Sequence, residues 1–200
     1  MQEHIGLLIV IAIVVLPLIW VIVTYNNFVK LRLQCYNAWS QIDTELKRRY
    51  DLIPNLVEVV RGYAQYERNV LETVTEARAK AVASTGSPVS QAIDENNLIL
   101  SLRQLFGIVE KYPDLKASQQ FLKLQNELVN TEDRIQASRR FYNGNVREFN
   151  TMLQSFPSNI IAGVFGFKSQ EFFDIEDTSL LASAKRSEDG RSAPAVSFDK

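Results

Sequence analysis

The sequence predicts an all-α protein in which an N-terminal transmembrane helix continues into a bundle of long antiparallel helices. Three observations carry this expectation. The chain opens on nineteen uncharged residues, Ile5 to Val23. Beyond them, apolar residues recur every three or four positions over long stretches, the spacing of one helix face. No segment shows the strict apolar/polar alternation of a half-buried strand.

The opening run, IGLLIVIAIVVLPLIWVIV, is long enough to cross a hydrocarbon core of about 30 Å as a helix. A cleaved signal peptide fits it poorly, because MQEH supplies no basic n-region and no small-residue cleavage site follows. Trp20 and Tyr25 lie near its distal end, where amphipathic rings settle among headgroups. The N-terminal flank has no Lys or Arg, whereas Lys30, Arg32 and Lys47 to Arg49 follow the run. The bias of Lys and Arg toward the cytoplasm places the N-terminus outside and the C-terminal domain in the cytoplasm. Cys35 follows charged and bulky residues well beyond the run and reads as a plain thiol rather than an acylation site. The expected organisation is an anchor over 1–24, a helical-bundle domain over 25–175 and a disordered tail over 176–200, where KRSEDGRSAPAVSFDK lacks bulky apolar residues.

The first long element carries Trp39, Ile42, Leu46, Tyr50, Ile53, Val57, Val60, Ala64 and Leu71 at helical steps. Its phase survives Pro54. Proline removes a backbone donor and crowds the carbonyl four residues earlier, so a kink in a continuing helix is expected at Pro54. The alternative is a fresh helix capped by Asp51 with Pro54 in its first turn. A helix running unbroken from Ile5 to about Ala83 would reach on the order of 120 Å at 1.5 Å per residue.

STGSP, Ser84 to Pro88, is a loop by composition. A second helix is expected from about Ser90 to Glu110, contributing Ile93, Leu98, Leu102, Leu105 and Phe106. YPDLKAS, Tyr112 to Ser118, turns into a third long helix bearing Phe121, Leu124, Leu128, Ile135, Tyr142, Val146, Phe149 and Leu153. FPSN ends it, and Ile160 to Phe165 forms one or two short turns. The apolar segment FPSNIIAGVFGF either touches a membrane or caps the open end of the bundle, and the cap is the preferred expectation.

Charge and composition exclude several classes of function. Lys and Arg number 22 against 23 Asp and Glu, so no one-signed field gathers nucleic acid. One Cys and one His rule out an internal disulfide and a Cys/His metal cluster, and no cofactor motif is present. The polar residues that stand out lie on packing faces. Glu132 and Arg139 fall inside the stripe of the third long element, and Arg49 borders that of the first. Buried charges survive by pairing, so the three are expected to form an interhelical polar layer rather than a catalytic pocket. Asp43 with Lys47, and Glu45 with Arg49, are helix-supporting pairs four residues apart.

The blocks YNNFVKLRLQCYNAWSQIDTELKRRYDLIPNLVEVVRGYAQYE, TEARAKA, YPDLKASQQFLKLQNELVNTEDRIQASRRFYNGNVREFN and FPSNIIAGVFGF resemble, in order, the LemA family of bacterial membrane proteins. The resemblance covers Tyr25 to about Phe173. It implies one N-terminal span, a bundle of long antiparallel helices and a bacterial inner-membrane location. It implies no catalytic motif. Some members carry a lipoprotein cysteine directly after a short apolar signal, an arrangement missing here.

The function expected is that of a non-enzymatic, membrane-anchored scaffold or adaptor whose partners are the lipid bilayer, further copies of itself and other membrane proteins. The alternative is a ligand- or stress-responsive membrane sensor with a hinge at Pro54.

Overall fold

The computed structural model describes residues 2–64 and 67–174, with the side chains of the first helix described from Ile13 onward. The tail expected over 176–200 lies outside the described residues. The protein is all-α: among the described residues six helices run as α1 Gln2–Tyr63, α2 Arg68–Ala83, α3 Pro88–Val109, α4 Pro113–Lys116, α5 Gln119–Gln154 and α6 Ser158–Phe165. Among the described residues there is no strand.

α1 is a single helix of 62 residues that passes Pro54 and carries on to Tyr63. It stops well short of Ala83, which corrects the expectation of an unbroken helix to that point. Gly62 weakens the last turn, since glycine is about 1 kcal/mol poorer than alanine inside a helix. The apolar spacing gave no sign of the break because Ala64 and Leu71 are seven residues apart. Both are buried, but they belong to different segments. The break lets α2 return its own stripe, Leu71, Val74, Ala77 and Ala81, to the core that α1 already lines.

The chain divides into two compact units. The first comprises residues 1–42 and 138–172. Its part of α1 buries Thr24, Phe28, Leu31, Cys35, Ala38 and Ile42, in steps of four and three that keep one seam inward. From α5 it buries Tyr142, Val146 and Phe149, and from α6 Ile161 and Ala162. Phe28 meets Phe149 edge-on at 5.9 Å, and Trp39 meets Tyr142 at 5.3 Å. Residue numbers rising on α1 as they fall on α5 mark the two as antiparallel. After α6 the chain reverses at Gly166, whose φ of 69° is left-handed and favours glycine. The Phe167 N–H then donates to the Ala162 carbonyl at 2.9 Å, and the Phe167 ring stacks on Phe28 at 4.8 Å. Asn150 holds the following segment by donating to and accepting from the Gln170 backbone, each at 2.9 Å.

The second unit comprises residues 43–137 with Phe173 and Asp174. Its core joins Ile53, Leu56, Val57, Val60 and Ala64 to the α2 stripe, to Leu98, Leu102, Leu105 and Val109 of α3, to Leu115 of α4, and to Phe121 and Leu128 of α5. Each Val, Leu, Ile or Phe among them contributes roughly 1.5–3 kcal/mol by leaving water. The loop before α3 ends at Ser87, whose side chain accepts from the Ser90 N–H while Pro88 takes the first helical position. The α3 face differs from expectation in one respect. Ile93 is exposed, and the inward positions are Ala92, Glu95, Leu98, Ile99, Leu102 and Leu105.

Candidate functional site: a buried charge cluster

The seam of α1 in the second unit runs Leu46, Arg49, Ile53, Leu56 and Val60, so Arg49 sits within it rather than at its border. Its side chain is 2 % exposed. A lone guanidinium there would cost several kcal/mol, and two carboxylates answer it. Arg49 Nη1 donates to Glu132 Oε2 of α5 at 2.8 Å. Arg49 Nη2 donates to Glu95 Oε2 of α3. The second oxygen of Glu95 accepts from the Tyr50 hydroxyl, and that of Glu132 accepts from Gln136 Nε2 at 3.1 Å. One cation from α1 therefore holds carboxylates from two other helices.

Burial opposes the charge on Arg49, but the nearby Glu95 and Glu132 carboxylates outweigh it and hold its pKa above the ordinary value. Burial, then the charge of Glu95 and the hydrogen bond to it, raise the Tyr50 phenol as well, keeping it a donor across the physiological range. Arg49 Nε finds no acceptor among the described residues.

Pro54 enters this cluster indirectly. Lacking an N–H, it cannot donate to the carbonyl of Tyr50, the bond a helix would form there. Arg78 of α2 takes the place, its Nε donating to the Tyr50 carbonyl at 2.7 Å. The proline thus leaves an acceptor in mid-helix, and a residue from the returning helix uses it.

Among the residues singled out from the sequence, Arg49 and Glu132 come together. Arg139 lies in the other unit, half-buried on α5. Glu45 is 4.0 Å from Arg134, and Arg49 turns inward instead of along α1 toward Glu45. Trp20, in the apolar run of α1, and Tyr25, two residues past it, are both more than a third exposed. Glu95 and Tyr50 are the cluster members that sequence reasoning missed. Glu95 falls in the α3 stripe with Ala92, Leu98 and Leu102. The same test that found Glu132 picks out Glu95, three residues before Leu98 and on its face; only Ile93, among the expected residues, stands on the opposite side.

The arrangement ties two carboxylates to one guanidinium, and the hydroxyl that faces them, that of Tyr50, is spent donating to Glu95. Two grooves on this unit, about 660 and 670 Å³, are walled by residues such as Glu58, Gly62, Arg68, Gln120 and Lys123, and not by the cluster. Among the described residues no group of three His, Cys, Asp or Glu side chains is placed to hold a metal.

Comparison with known proteins follows the same lines. The model of the LemA family matches residues 38–198. The chain is similar to magnetosome protein MamQ of Magnetospirillum gryphiswaldense, 27% identical over 191 residues, which covers 81% of this chain and 70% of that protein. It is similar to magnetosome protein MamQ 2 of Paramagnetospirillum magneticum, 25% identical over 174 residues, covering 74% and 64%. Protein LemA of Metamycoplasma hominis is 29% identical over 138 residues, covering 68% of this chain and 63% of its own length. The chain thus spans slightly under two thirds of the last two relatives. None of these names denotes an enzyme.

Proposed function

We propose, starting from the fact that this chain belongs to the LemA family, that it is a non-enzymatic scaffold or adaptor held in the bacterial inner membrane. The observation that carries this reading is α1, which takes an uncharged run into a packing seam within one helix. Among the described residues one helix, near the N-terminus, is long and apolar enough to cross a membrane. In the region from Ile13 to Val23 bulky side chains such as Leu16, Leu18, Ile19 and Ile22 are exposed, as lipid-facing residues would be. The charge cluster supports the non-enzymatic part, because both carboxylates are held by Arg49, the Tyr50 hydroxyl is held by Glu95, and none of these residues lines the grooves described above.

The orientation in this reading, N-terminus outside and helical domain in the cytoplasm, is supported by Lys30, Arg32 and Lys47 to Arg49 following the run. An alkaline phosphatase fusion at Lys200 tests it: no phosphatase activity is expected, and strong activity reverses the topology. Self-assembly completes the proposal. Extraction in mild detergent followed by mass measurement of the intact particle should give a multiple of the 22.8 kDa chain. A monomer removes the assembly.

A further inference from the structure

α6 reads SNIIAGVF and contains no charged side chain. Ile161 and Ala162 face the interior of the first unit, so the segment does close the packing there. Its other side is unusual. Val164 is 74% exposed, and Ile160 and Phe165 are each more than half exposed, with Phe156 just before the helix at 81%. Four bulky apolar side chains exposed within ten residues are more than scattered surface hydrophobics.

The position of this face identifies what covers it. Phe165 packs on Tyr25 with ring centroids 4.8 Å apart, and Phe167 lies 5.8 Å from the same ring. Tyr25 follows the apolar run Ile5 to Val23 by two residues, and nineteen helical residues span about 28 Å, close to one hydrocarbon core. Residues Ile22, Val23 and Tyr25 are themselves exposed, so the apolar surface continues from the anchor to α6. Cations border it: Lys30 and Arg32 on α1 and Lys168 after α6 are exposed, and the Arg32 guanidinium lies 5.4 Å from the centre of the Phe167 ring. The acids at this end, Glu148 and Glu171, are also exposed. An uncharged short helix beside the end of a span, with Lys and Arg at its margin, has the chemistry of an interfacial segment.

We propose that the outward face of α6, Phe156, Ile160, Val164 and Phe165, is immersed in the headgroup layer of the same bilayer that the apolar run of α1 crosses. It is a second membrane contact, and it rests on the reading of that run as an anchor. The test uses the full chain in a Cys35→Ala background that keeps the melting temperature of the natural chain. An environment-sensitive fluorophore is placed at Val164→Cys, at Leu16→Cys in the anchor, or at Arg140→Cys on α5. The last is at the Trp39 level of α1, some 21 Å along that helix from Tyr25. Each protein is reconstituted into phosphatidylcholine/phosphatidylglycerol vesicles carrying headgroup- or acyl-chain nitroxides. Position 164 is expected to be quenched by the shallow nitroxide, position 16 by the deep one and position 140 by neither. Quenching at 16 with none at 164 overturns the α6 contact and leaves the anchor standing. Absence of quenching at both overturns the anchor and the proposal together. A blue-shifted, unquenched probe at 164 whose emission depends on the protein-to-lipid ratio means that a second copy covers α6, which also overturns it.

Discussion

One guanidinium serves two carboxylates in the interior of the second unit, so the three residues do not contribute equally. Removing Arg49 isolates two buried negative charges, whereas removing all three charges leaves none to compensate. Arg49→Met is expected to lower stability by about 3–5 kcal/mol, and adding Glu95→Gln and Glu132→Gln should recover most of that loss. Urea unfolding followed by circular dichroism makes the comparison, and a triple variant no better than Arg49→Met would show that the cluster does more than neutralise itself. Arg49 and Glu132 were legible in the sequence because each interrupts or adjoins a run of apolar positions. Glu95 shares the face of the expected Leu98, Leu102 and Leu105 and was legible by the same spacing, but Ile93, about half a turn away on the exposed face, stood in its place in the expected stripe. In the first unit, Cys35 is 3% exposed, and burial pushes its thiol above its usual value, with Glu148 adding to the shift and a backbone hydrogen bond opposing it. The thiolate is the reactive form, so iodoacetamide at pH 8 should modify the native protein on the order of 100-fold more slowly than the unfolded chain. Comparable rates would mean that this part of the seam opens freely.

At the scale of elements, the continuity of α1 across Pro54 and its end at Tyr63 have different origins. Proline deletes one hydrogen bond but fixes a helix-compatible φ, and the exposed ring of Pro54 faces away from the seam. The helix therefore continues, and the periodic spacing on both sides reported this. Its end depends on where α2 must begin to return Leu71 and Val74 to the core, a tertiary requirement that a seven-residue spacing conceals. The long helices, the Ser84–Ser87 loop and the turn before α5 were legible from composition and period, whereas the bridge from Arg78 to Tyr50 was not. It depends on an acceptor created by what proline lacks. This yields a coupled prediction. Arg78→Met should cost about 1–3 kcal/mol in the natural chain by orphaning the Tyr50 carbonyl, and well under half of that in Pro54→Ala, where residue 54 donates to the same oxygen. Additive losses in the double-mutant cycle would disprove the substitution of one donor for the other.

For the whole molecule, each unit contains a tyrosine whose neutral form is favoured by folding. Tyr50 in the second unit donates to Glu95, and Tyr142 in the first donates to the Glu171 carbonyl at 2.8 Å. Burial, then the neighbouring Cys35 and Glu171, push the Tyr142 phenol up to about 12, from an ordinary value of 10.0. The sign of the effect follows. Below pH 10 the phenol is protonated in both folded and unfolded chains, and the stability linked to it is fully present. Above pH 10 the unfolded chain releases the proton first, so stability falls as pH rises toward about 12. Tyr50 shifts in the same direction, so both units weaken on the alkaline side. Thermal melts of the natural chain should therefore decline steadily between pH 10 and 12. Tyr142→Phe, which retains the ring against Trp39 but has no proton to lose, should begin from a somewhat lower melting temperature and decline less steeply. Parallel slopes for the two proteins would mean that Tyr142 titrates in the folded protein as it does in the unfolded chain, and its contact with Glu171 would then lend nothing to alkaline stability.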